Sequence, residues 1–150
     1  METPVRSRPV PGRRNAVLDS LTIPGRPEQV RRTRTFVTRA VAAAGKGDSV
    51  DSDAATLLTS ELVTNAIRHT ASGRPAGTVT IVIVDVPDGV LIEVTDQGSS
   101  AGTPLVRSDL FAQNGHGLYL VQQMAAQWGF LREPGGTTVW FHLAGGAEGG

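Results

Sequence analysis

Cysteine is absent from the 150 residues, so neither a disulfide framework nor a thiolate metal site is available. Net charge is absent too: 14 basic side chains balance 14 acidic ones, and nothing global favours nucleic acid or an anionic membrane. No apolar run approaches the roughly 20 residues of a membrane span. The start, METPVRSRPVPGRRN, carries arginines with no hydrophobic segment after them, so no secretory signal is expected. These absences predict a cytoplasmic protein with no direct nucleic-acid partner and no membrane attachment.

What is present suffices for one domain with a real core. Residues 1–17 and 144–150 read as disordered tails around a domain of residues 18–143. The first strand is AVLDSLTI. Pro27 and Glu28 suit the first turn of a helix, and Val30, Val37, Ala40, Val41 and Ala44 continue with helical spacing up to Gly45. A second helix is expected over about Ala54–His69. TVTIVIVDV and VLIEVT form a hairpin around PDG. A long loop follows, then a helix from about Leu118 with Val121, Met124, Ala125 and Trp128 at core spacing. A last hairpin, WGFLRE and TTVWFHL, turns at PGG. The expected fold class is α+β: a two-layer α/β sandwich with a mixed, mostly antiparallel sheet and helices on one face.

Three places can carry chemistry. In SELVTNAIRHT, Glu61 and Asn65 are four residues apart and share a helical arc with Ala54, Leu57, Leu58 and Leu62, while Thr56, Ser60 and Thr64 take the other side. An unpaired buried amide costs on the order of 1–3 kcal/mol, so the two satisfy each other, or the face is rotated and partly exposed, or something polar lies opposite. Asp96, at the end of VLIEVT, shares a pleat face with Val90, Ile92 and Val94. It is a turn-starting aspartate or an acceptor for an amino group such as that of adenine. Gly115-His116-Gly117-Leu118 opens a helix and is either a hinge or a phosphate cradle. Other motifs fail. AAAGKGDS lacks the first glycine and the hydroxyl residue of a P-loop. Gly98-Ser99-Ser100-Ala101-Gly102 matches a nucleophile elbow, but Thr103-Pro104 follows it where a helix belongs. His69, His116 and His142 have no zinc-ligand spacing.

In this order, SELVTNAIRHT, VTDQGS, GHGLYLVQQMAAQWG and GGTTVWFHL resemble the ATP-binding (Bergerat) fold of gyrase, the heat-shock-90 chaperone, histidine kinases and mismatch-repair ATPases. Within it the chain is most similar to the stand-alone anti-sigma factor serine/threonine kinases of actinobacteria. The resemblance implies ATP and Mg²⁺ as cofactors, with Asn65 as the Mg²⁺ ligand and Glu61 as general base. It implies that Asp96 binds the adenine amino group and Gly98 allows the turn beneath it. It places Gly115, His116, Gly117 and Leu118 at the phosphates, with Arg68 in reach of them, and has Thr137 or, preferably, Thr138 back the adenine. The implied partners are a sigma factor and an anti-sigma factor antagonist, with a homodimer as assembly. Ser100 in place of a second glycine, and a loop of residues 99–114 with one arginine and no lysine, support an alternative. In that alternative a non-catalytic ATP-binding module regulates by docking. A histidine kinase proper is not expected, because no phospho-accepting histidine helix precedes the core.

Overall fold

The structure, a computed structural model, describes residues 16–98 and 119–145. Strand β1 (Ala16–Pro24) leads through a 3-10 turn at Pro27–Gln29 into helix α1 (Val30–Ala43). Helix α2 (Ser52–His69) and a second 3-10 turn (Ala71–Gly73) follow. Strands β2 (Thr78–Val86) and β3 (Gly89–Asp96) come next, and β4 (Gln127–Glu133) and β5 (Gly136–Ala144) close the fold. β1 begins inside the expected 1–17 tail, because Ala16 already pairs with Asp85.

Local chemistry explains the helix ends. Pro27 starts the turn before α1 without sacrificing a needed N–H. At the other end of α1, Gly45 N–H donates to Ala42 O (3.0 Å) and Lys46 N–H to Val41 O (3.1 Å), the paired bonds of a Schellman stop. The N-terminus of α2 is capped by Asp51, whose Oδ1 accepts from Ala54 N–H at 3.0 Å. Lys46, the chain's one lysine, then fastens the end of α1 to the β2–β3 hairpin. Its Nζ donates to Val86 O (2.6 Å) and Gly89 O (3.0 Å) and pairs with Asp85 Oδ1 (2.8 Å).

The strands lie in the order β1-β2-β3-β5-β4. Every pairing among the described residues is antiparallel, in keeping with the mostly antiparallel sheet expected. Both hairpins turn through two residues, Pro87-Asp88 and Pro134-Gly135. The helices cover one face. Ile81, Ile83, Ile92 and Phe141 there bury against Val37, Val41, Leu58 and Leu62. A fully buried Leu58 alone is worth about 1.5–3 kcal/mol relative to exposure. Val84, Leu91 and Trp140 form a smaller cluster on the other face.

Two expectations change. The buried side of α2 runs through Ala55, Leu58, Thr59, Leu62, Val63 and Ala66, and Leu57 is 41% exposed. Ser60, expected outside, is buried because α1 lies against it: Arg34 Nε donates to Ser60 Oγ at 3.1 Å. The buried Thr59 and Ser60 hydroxyls also donate one turn back, to Ala55 O (2.8 Å) and Thr56 O (2.7 Å). Near the C-terminus the helix ends at residue 124. Val121 is buried as expected, but Met124 is 40% exposed and Trp128 fills the core from β4. Strand pairing Trp128↔Phe141 overrides the helical spacing that reached that far.

Candidate functional site

One end of the sheet gathers the site. Asp96 closes β3 opposite Thr137, the second residue of β5. Directly paired residues share a face, so Asp96 and Thr137 extend the row of Ile92↔Phe141 and Val94↔Val139 beneath the helices. Asp96 Oδ1 accepts from Gly98 N–H (2.6 Å) and Thr137 N–H (3.3 Å). No described residue bonds Oδ2. Burial pushes the Asp96 carboxyl above the ordinary aspartate range, and the two N–H groups pull it partly back.

The turn around Asp96 leaves no slack. Gly98 adopts a φ of +82°. A Cβ on Gly136 would fall 1.8 Å from Asp96 O, so the first residue of β5 has to be glycine for the backbones to meet.

Above this strand end runs α2. Glu61 and Asn65 occupy the edge of its buried side, not the centre, and both are half-buried. Asn65 Nδ2 is buried with no hydrogen-bond partner among the described residues. An orphaned amide of this kind costs about 1–3 kcal/mol and marks a place where a partner is missing. A half-turn of the carboxamide exchanges Nδ2 for Oδ1, so the same spot can offer a donor to phosphate or an oxygen to a hard cation. The Glu61 carboxylate has no described partner either. Arg68, one turn on, is exposed.

The segment after α2 ties the helix to the Asp96 turn. Ser72, fully buried, accepts from Gln97 N–H at 3.0 Å. Ala71 N–H donates to Gly98 O at 2.8 Å. The Gln97 side chain reaches Thr78 N–H at 2.7 Å and holds the start of β2. Thr70 completes the link: its hydroxyl donates to Ala66 O (2.6 Å) and accepts from Ser72 N–H (3.1 Å). The C-terminal end of α2 and the turn that holds the Asp96 carboxylate are therefore parts of one hydrogen-bonded assembly.

Of the residues named from the sequence, Asp96 and Gly98 lie together at the end of β3, and Glu61 and Asn65 share the edge of α2. Gly115, His116, Gly117 and Leu118 lie outside the described residues. Thr138, preferred over Thr137, points the other way. It pairs with Thr95 on the opposite face, and the two hydroxyls are 2.8 Å apart. Ser72 and Gly136 were not singled out. The PGG turn was a signal for Gly136, whereas nothing local marks Ser72, whose partner is 25 residues away.

The family model of the histidine kinase-like ATPase domain matches residues 23–143. The chain belongs to the histidine kinase-like ATPase domain family. Comparison with curated protein sequences gives no match. Among solved structures the chain is similar to the RsbU and RsbW domains of Rv1364c from Mycobacterium tuberculosis, with a TM-score of 0.61 at 18% identity. The match covers 85% of this chain and 32% of that one, so this chain spans about a third of its length. At that identity the likeness shows the fold: an antiparallel open sheet with helices on one side. For a histidine kinase-like ATPase domain, the described residues fit a nucleotide and its metal. An unpartnered amide lies on the helix edge, an acceptor carboxylate closes β3, and Gly98 bends the backbone beside it. No helix of the described residues is long and apolar enough to cross a membrane.

Proposed function

We propose that this histidine kinase-like ATPase domain binds ATP with Mg²⁺ and is a protein serine/threonine kinase. Its phosphoryl acceptor would be an antagonist of an anti-sigma factor. The observation that carries the reading is the buried, unpartnered Asn65 amide, one turn from Glu61, which has no partner among the described residues. A buried amide without a partner costs stability, and a ligand that supplies the partner removes that cost.

In this reading Asp96 Oδ2 accepts from the adenine amino group while Oδ1 stays held by Gly98 and Thr137. Thr137, not Thr138, backs the base. Asn65 holds Mg²⁺, which neutralises charge on the phosphates when bound. Glu61 accepts the proton of a partner's serine or threonine hydroxyl. The hydroxyl oxygen forms a bond to the γ-phosphorus as the bond from that phosphorus to the bridging oxygen breaks, and ADP leaves. Phosphoryl transfer of this type depends on positioning and charge more than on covalent chemistry. The partners would be the antagonist and a sigma factor.

The test has two stages. ATP or ADP with Mg²⁺ should raise the melting temperature of the wild-type protein, as any ligand of the native state does. Asn65→Ala should lose the Mg²⁺-dependent part of that shift. Incubation with γ-labelled ATP and candidate antagonists then reads transfer. Glu61→Ala should bind nucleotide normally and transfer at least about 100-fold more slowly. Equal transfer by Glu61→Ala removes Glu61 as the base. Tight nucleotide binding with no transfer to any antagonist leaves a non-catalytic docking module.

A further inference from the structure

The sheet has a second face, away from the helices. Directly paired residues share it: Trp140 with Glu93 and Gly129, Glu93 with Val82, and Leu91 with Val84. Both helices pack on the other side. Even so, Trp140, Leu91 and Val84 are each only 3% exposed.

Trp140 defines what fits there. Its ring lies over Gly129, where a Cβ would fall 2.9 Å from Cζ2 and 3.0 Å from Nε1. Gly129 therefore covers the inner side of the ring, and strand neighbours reach only its edges. Nε1 is buried with no hydrogen-bond partner among the described residues. A ring so buried, with a donor left over, calls for an apolar chain that also offers a carbonyl.

Three segments lie outside the described residues. Residues 99–118 are flanked at both ends by groups tied to the helix side. Gly98 O accepts from Ala71 N–H beyond α2, and Val121 belongs to the core beneath the helices. Residues 146–150, GAEGG, have no large apolar side chain. Residues 1–15, METPVRSRPVPGRRN, combine Pro4, Val5, Pro9, Val10 and Pro11 with four arginines. Proline favours the polyproline II form, which leaves its carbonyls unbonded, and aromatic surfaces are what such segments dock on.

Charge and reach agree with that choice. β2, β3 and β5 contain no arginine or lysine, and Glu93 stands beside Trp140 on this face. Ala16 enters the sheet level with Leu143, through the pairs Ala16↔Asp85, Asp85↔Val90 and Val90↔Leu143. Trp140 is then three strand spacings across, about 14 Å, and three residues along, about 10 Å. Residues 10–15 span about 19 Å in the polyproline form, enough to bridge that diagonal.

We infer that residues 1–15 dock on the helix-free face of their own sheet. Pro9, Val10 and Pro11 rest on Trp140 and Leu91, a carbonyl among them accepts from Trp140 Nε1–H, and the flanking arginines face Glu93. The docked segment closes that face to other partners. This goes beyond the phosphotransfer reading and does not depend on it, because it uses none of the nucleotide-site residues.

The full chain supplies its own probes. It has two tryptophans, so an NMR spectrum of ¹⁵N-labelled protein holds two indole signals, and Trp140→Phe identifies one. It has no cysteine, so a nitroxide on Arg8→Cys is a single label. That label should broaden the Trp140 indole signal beyond detection, whereas one on Arg39→Cys, out on α1, should leave it sharp. Nitroxide-bearing protein without ¹⁵N, mixed with ¹⁵N protein without nitroxide, should not broaden it. Val10→Asp should speed solvent exchange of the Trp140 indole N–H at least about tenfold, as loss of a local cover does, with Trp128 unchanged. A Trp140 signal untouched by the label at residue 8 overturns the proposal, as does unchanged exchange in Val10→Asp. Broadening in the mixed sample overturns it too, because a second copy of the chain then holds the face.

Discussion

Ser72 Oγ accepts from the backbone N–H of Gln97 at 3.0 Å, and through that bond the end of α2 is fastened to the turn that carries Asp96. Ser72 is fully buried, so no water replaces the acceptor if it is lost. Ser72→Ala should destabilise the protein by about 1–3 kcal/mol, the cost of an orphaned buried N–H. Urea unfolding measures that. The same variant should weaken ATP binding, because the Asp96 turn is released from the helix that carries Asn65. Unchanged nucleotide affinity at reduced stability would separate the two ends of the site.

Asp96→Asn should bind ATP at least about tenfold more weakly, a loss of about 1.4 kcal/mol or more. The amide keeps an oxygen for Gly98 and Thr137 but presents an amino group where an amino group has to be accepted. The melting temperature of the unliganded variant should hold or rise, since a buried carboxylate is replaced by a neutral isostere. Isothermal titration and a melting curve on one preparation decide both points.

The pH dependence follows from the same carboxylate. Its pKa is raised in the fold, by burial above all. The folded state therefore holds the proton more tightly than the unfolded chain. Asp96 favours folding below the ordinary aspartate range, and that contribution is lost as pH rises through the window up to the raised value. Nucleotide acts in the opposite sense, because the ionised carboxylate is the stronger acceptor. ATP affinity should fall as pH drops toward the raised pKa, at a higher pH than an ordinary aspartate would give. Titrations from neutral to mildly acidic pH should show the fall in wild-type protein and a flatter profile in Asp96→Asn.

The two glycines of the last turn make an internal comparison. Gly136→Ala puts a Cβ 1.8 Å from Asp96 O, and backbone has to move. A loss of about 2 kcal/mol or more is expected, together with weaker ATP binding. A Cβ at Gly135 meets nothing within 4 Å, and Gly135→Ala should change stability by no more than about 0.5 kcal/mol.

Lys46→Met removes two hydrogen bonds and an ion pair at the opposite end of the sheet. It should cost about 1–3 kcal/mol in urea unfolding. ATP affinity should be unaffected, since Val86 and Gly89 flank the hairpin turn remote from Asp96.

The strands, both helices and both hairpins were legible because their signals are local. TVTIVIVDV around PDG, a capping aspartate before α2 and a glycine stop after α1 each act within a few residues. Glu61, Asn65 and Asp96 drew attention for a related reason: polar groups stand out against an apolar period. Other features depend on which elements meet. The choice of Thr137 over Thr138 is a matter of strand register, and one position exchanges the two faces. Leu57 lies outside and Ser60 inside because α1 approaches one flank of α2, a fact no helical wheel contains. Ser72 gained its role from a partner 25 residues on. Local chemistry thus determined which segments form and which side chains stand out among them. Tertiary packing alone decided which faces look at each other, because register and helix approach are set by the summed burial of distant residues.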